Sequence, residues 1–201
     1  MLKKDVENLK TQYYGVPPYY LILGTDKTYP NMIKKFSFFL LMSSLIINVS
    51  AQIIDLDKAN KLFEEGEYSV SQNLYQNLLN DGENEDFLIY KIANCSKNLG
   101  NTDAIYWYEL LIKDYKNSIF SQNSRKELGF IYFSNKNYSK SSEILSEIND
   151  ESIQDDEFHF KLGYSLFDQE KYDDAKYHFY KVKDKDGRYK SLSLYYYAHI
   201  N

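Results

Sequence analysis

Three histidines, one cysteine and a short acidic turn are the residues of this chain whose types invite chemistry. His159, His178 and His199 are widely spaced, so as a metal set they would have to meet across packed helices. Ordinary packed or surface imidazoles are the better reading. Asp184-Lys185-Asp186-Gly187 carries part of a calcium-loop pattern, but Val182 holds the first ligand position and Ser193 the closing one, where acids are needed. A turn between helices explains it. Cys95 is alone, so no intramolecular disulfide can form, and its setting fits a buried thiol. The sequence contains no HExxH, GxSxG, CxxC pair or glycine-rich phosphate loop. These residues imply no enzyme activity, no metal and no cofactor.

What remains is the framework. The 201 residues include only 3 Pro and 8 Gly, which favours long helices with short turns over a strand-rich fold. Apolar residues make up 43% and charged ones 26%, values of a packed domain. A net charge of −5, without interleaved basic and aromatic residues, argues against nucleic acid as a partner.

The decisive pattern is a period. Leu128-Gly129 recurs as Leu162-Gly163, 34 residues on (162 − 128), and Tyr138, Ser141, Leu145 and Ile148 recur as Tyr172, Ala175, Phe179 and Val182 at the same offset. Gly66 and Gly100 keep it as well. A fixed period of this size marks stacked helix–turn–helix units. Small residues such as Gly163 and Ala175 let two helices approach, while Tyr172 and Phe179 fill the space between neighbours. Four units are expected, at 52–85, 86–119, 122–155 and 156–189, followed at 190–201 by the first helix of an incomplete fifth. Turns are expected at 65–67, 100–102 and 134–137.

From about Gln52 onward the chain resembles the tetratricopeptide repeat family. The resemblance rests on Leu162-Gly163 in the first helix of a unit, Tyr172 at the turn, and Ala175, Phe179 and Val182 in the second. His159 stands where the family has Trp, and Gly187 where it closes a unit with Pro. The resemblance implies an all-α fold, an α-solenoid of antiparallel helix pairs wound into a right-handed superhelix. It also implies a concave groove lined by the first helix of each unit. In this register the groove residues are Asn60, Phe63, Tyr90, Asn94, Lys97, Lys126, Phe130, Phe133, Phe160, Tyr164 and Phe167. Aromatics with a few amides and lysines suit a protein or peptide partner. The lysine and asparagine ladder with which some members clamp a peptide carboxylate is incomplete.

Residues 32–52 read as an export signal. Lys34 and Lys35 are basic, Phe36 to Ile47 are apolar, and Val49 and Ala51 are small residues ahead of a cleavage point between Ala51 and Gln52. No Cys stands directly after the apolar core, which speaks against a lipid anchor. The signal's natural start is expected at Met32, with 1–31 a leader that results from a start placed too far upstream. The expected location is outside the cytoplasm, in a periplasm; the alternative is a membrane anchor over 36–54, left uncleaved. The apolar residues of the final helix, Leu192, Leu194, Tyr195, Tyr196 and Tyr197, lead to the expectation that the array continues beyond Asn201. The functional expectation is a scaffold that binds a peptide or partner helix in an envelope complex; the alternative is the recognition arm of a larger catalytic or signalling protein.

Overall fold

The computed structural model describes residues 55–80 and 84–200, together with Phe38. The leader at 1–31, the signal at 32–51 with its cleavage point, and the possible anchor at 36–54 (Phe38 apart) lie outside the described residues. Among the described residues every regular element is helical, and no helix is long and apolar enough to cross a membrane. Helix α1 covers 55–64. It is followed by α2 (Tyr68–Leu79), α3 (Glu85–Asn98), α4 (Asp103–Asp114), α5 (Ser121–Ser134) and α6 (Tyr138–Ser146). A short 3-10 turn (Glu151–Ile153) precedes α7 (Asp156–Asp168), α8 (Tyr172–Val182) and α9 (Lys190–Ile200). From α2 onward each helix packs against the next in sequence, and α5 also packs against α7. That is how a stacked array differs from a globular bundle, where distant segments meet.

The turns inside the helix pairs are built alike. Each places one residue in the left-handed region: Gly66 (φ 84°), Gly100 (φ 73°), Lys136 (φ 58°) and Glu170 (φ 60°). In each, the amide of that residue and the next bond back to carbonyls of the preceding helix. The Gly66 amide donates to Phe63 and Glu67 to Leu62; the Glu170 amide donates to Phe167 and Lys171 to Leu166. These crossed bonds satisfy helix-end carbonyls that would otherwise lack partners. Glycine adopts the conformation freely; Lys136 and Glu170 do so at a steric cost of about 1–2 kcal/mol each.

The interior divides into three buried clusters along the array. Tyr75, Leu88, Ile92 and Cys95 form the first, Ala93, Ala104, Tyr108, Leu128 and Tyr132 the second, and Leu145, Phe158, Leu162, Leu166 and Phe179 the core of the third. Polar struts reinforce the first two pairs. The Tyr75 hydroxyl donates to Asn60 Oδ1 at 2.7 Å, and the Tyr108 hydroxyl to Asn94 Oδ1 at 2.8 Å. Burial pushes both phenols up, that of Tyr75 to about 12, so neither strut's geometry depends on ionisation near neutrality. At 128 and 162, the positions 34 and 68 residues beyond Asn94, the struts give way to leucines.

Glycine sets the helix spacing in the last two pairs. A Cβ on Gly129 would sit 2.5 Å from Leu145 Cδ2, and one on Gly163 3.1 Å from His178 Cβ. Leu145 is fully buried and has little room to yield. Gly129→Ala should therefore lower stability, with overpacking of about 1–3 kcal/mol only partly offset by about 1 kcal/mol of helix propensity. A fall in the urea midpoint without a change in slope is the expected result; an unchanged midpoint would show that α5 and α6 can separate freely.

Candidate functional site

The first helices of the units and the turns beside them enclose a groove of about 660 Å³. Its floor is apolar, with Phe130 and Ile131 from α5 and Ala104 and Ile105 from the start of α4. Its walls carry three lysine–carboxylate pairs. Lys97 of α3 meets Glu127 of α5 at 2.8 Å, Lys126 of α5 meets Asp155 at 2.6 Å, and Lys161 of α7 meets Glu157 at 2.7 Å. Two of these pairs link successive first helices, α3 to α5 and α5 to the cap of α7, so they hold the groove walls in register as well as lining them. Asn101, Ser134 and Asn135 stand at its edge.

Phe130 is the centre of this arrangement. The Lys161 ammonium lies 3.9 Å from the centre of its ring and that of Lys126 5.6 Å away. Both lysine side chains are only about 15% exposed, at 14% and 15%, so their stems lie along the aromatic surface while the charges stay paired. Asp155 has a double task. Its Oδ1 accepts from the Phe158 amide at 2.9 Å and caps α7, while Oδ2 takes the Lys126 ammonium. Burial works against the Asp155 and Glu157 carboxylates, but their hydrogen bonds to Lys126 and the Phe158 amide, and to Lys161 and Tyr189, hold both below the usual carboxylate range. The groove lining thus offers an apolar floor, compensated charges and a polar edge. It brings together no nucleophile, base and orienting group.

A second recess of about 530 Å³ continues beside it, lined by Phe133, Tyr138, Phe160, Tyr189 and Leu192 among others. Phe160 reaches its surface although only 7% exposed, because the Tyr189 ring stacks on it at 4.9 Å and covers most of it.

Solved structures share this architecture. The structure is similar to a MamA RS-1 ArsTM double mutant, with 12% sequence identity, 74% of this chain and 92% of that one covered, and a TM-score of 0.59. It is also similar to a Podosopora anserina putative kinesin light chain with nearly identical TPR-like repeats, at 14% identity over 73% of this chain and 83% of that one, TM-score 0.51. The fold is a tetratricopeptide-like α-solenoid. No family model matches the sequence, and no curated protein matches it significantly; at identities this low the likeness extends to the fold alone.

Within the solenoid the eleven residues read from the sequence part company. Lys97, Lys126 and Phe130 line the main groove, and Phe133 and Phe160 the recess beside it. Asn60 and Asn94 are engaged by the tyrosine struts. Phe63 packs edge-on to Tyr68 at 5.3 Å under the Lys91 ammonium, and Tyr90 stacks on Phe120 at 5.0 Å. Tyr164 and Phe167 join an aromatic chain that runs through Phe133, Tyr138 and Tyr196. None of these last six lines either concavity.

The carboxylate partners Glu127, Asp155 and Glu157, and Lys161 itself, were not singled out from the sequence. A signal for them exists: Lys97 and Glu127 are 30 residues apart and Lys126 and Asp155 29, just short of the repeat, so opposite charges at that offset link one first helix to the next or to its cap. Cys95 is fully buried in α3, and burial pushes its thiol up, away from the reactive thiolate form. Among the described residues no group of three or more His, Cys, Asp or Glu side chains is placed to hold a metal ion. His159 and His178, remote in sequence, do meet: their Nδ1 atoms are 3.0 Å apart across α7 and α8.

Proposed function

We propose that this chain is a non-enzymatic interaction scaffold that holds an extended peptide or a partner helix in the groove between α3, α5 and α7. The observation that carries the proposal is the Phe130 floor flanked by paired lysines. An aromatic surface kept accessible inside a concavity, with every neighbouring charge already compensated, favours an occupant that buries apolar side chains. Its backbone would find donors and acceptors at Asn101, Ser134 and Asn135. A highly charged ligand would have to break lysine–carboxylate pairs to enter. The setting we propose is an exported one, in an envelope complex, on the strength of the signal-like residues 32–52.

Site-directed photocross-linking in the native cell tests this. A photoreactive phenylalanine analogue at Ser134, on the groove edge, should capture a partner protein, and one at Tyr177, exposed on α8, should not. Adding Phe130→Ala should reduce the captured species about tenfold, the equivalent of about 1.4 kcal/mol for a central aromatic contact. Equal capture from both positions, or capture indifferent to Phe130, would rule the groove out.

A further inference from the structure

The two histidines that meet across α7 and α8 serve neither the groove nor any chemistry described above. His159 is 7% exposed, and His178 faces Gly163 closely, its Cβ only 3.1 Å from where a Cβ on that glycine would sit. Phe158 and Tyr177 wall the pair, Phe158 5.3 Å from the His159 ring and Tyr177 5.2 Å from that of His178, edge-on in both contacts. With both rings neutral, one Nδ1–H donates to the other Nδ1, and the pair is satisfied by a single proton. With both protonated, two N–H donors would confront each other at the same distance in a half-buried site.

We propose that the His159–His178 pair is an acid-sensitive latch whose double protonation separates α8 from α7 and loosens the C-terminal part of the array. The charged groups facing the pair are Asp155 and Asp156 at the start of α7, Lys181 on α8 and Lys185 in the turn beyond it. Both acids favour a charged His159, but each already holds a lysine, Asp155 with Lys126 and Asp156 with Lys185 at 2.7 Å, so they offset the new positive charge only in part. Burial holds both imidazoles below their ordinary value, His178 at about 4. Because the folded value lies below the unfolded one, the stabilisation is complete above about pH 6.5 and is lost as the pH falls toward 4. The latch acts on the groove as well, since α7 carries Glu157 and Lys161.

Hydrogen exchange of the full chain, corrected for the intrinsic pH dependence of exchange, tests the latch. For one ring titrating at about 4 when closed and about 6.5 when open, opening of the α7–α8 segment should rise roughly twentyfold between pH 7 and pH 5. Amides of α2 to α4 should change far less. His178→Phe should abolish the difference. Should that variant fold poorly, the histidine ring resonances of the unaltered protein decide the matter: one of the paired rings should remain neutral well below pH 6. If both rings titrate independently near 6.5, or if acid loosens α2 to α4 as much as α7 and α8, the latch does not exist.

Discussion

Replacing Phe179 with alanine should destabilise the C-terminal half of the array by about 3–5 kcal/mol, the range for truncating a large buried aromatic. Phe179 is fully buried, and its position explains why the loss is expected at the upper end. Its ring faces Gly163 on one side, where a Cβ would lie only 3.2 Å away, and stacks on Tyr196 of α9 at 5.3 Å on the other. The tilted ring of Phe160 lies 6.3 Å away. One side chain therefore ties α8 both to its partner α7 and to the next helix, and alanine would leave a cavity at both interfaces. In an array with nearest-neighbour contacts the damage should stay local. Circular dichroism in urea should show an early transition involving α7 to α9, ahead of the remaining helices. A single transition at the unaltered midpoint would mean that the site collapses around the smaller residue.

Tyr108→Ala should cost a comparable 3–5 kcal/mol, now centred on α3 to α5. Tyr108 is fully buried and packs in the cluster formed with Ala93, Ala104, Leu128 and Tyr132. The informative comparison is Tyr108→Phe, which retains the ring but removes the donor to Asn94 Oδ1. Asn94 is itself buried, so its carbonyl oxygen would be left without that partner, at a cost of about 1–3 kcal/mol. Adding Asn94→Leu to Tyr108→Phe should recover part of that loss, because the apolar pair resembles what the later units use at positions 128 and 162. No recovery would show that the hydroxyl serves packing more than hydrogen bonding. Thermal and urea unfolding of the three variants give the answer directly.

The helical solenoid could be read from the chain because a fixed offset exposes those positions whose size is dictated by their neighbours. Gly129 and Gly163 are glycine because Leu145 and His178 press against them, and that constraint recurs with the units. The left-handed turns were only half legible. Gly66 and Gly100 mark theirs, but Lys136 and Glu170 take the same conformation with residues that carry no such mark. Side chains that act across units were harder still. The aromatic chain through Phe133, Tyr164 and Tyr196 depends on which way each ring turns, and abundant aromatics make many registers equally plausible from sequence. The His159–His178 contact joins residues 19 apart, an offset at which no regular pattern places neighbours; only the folding of α8 back on α7 brings them together.

Contacts made mainly between successive helices have a mechanical meaning. A stack of this kind is a spring: a slight rotation at each junction adds to the next, so curvature is a soft coordinate while every helix stays intact. The stiffest stretch should be the middle, where α5 also touches α7 and the Lys126–Asp155 pair spans the same gap. Toward the ends the coils are freer to open. The proposed groove would widen as the array flexes, and tension along its axis would lengthen the molecule well before it unravelled any turn.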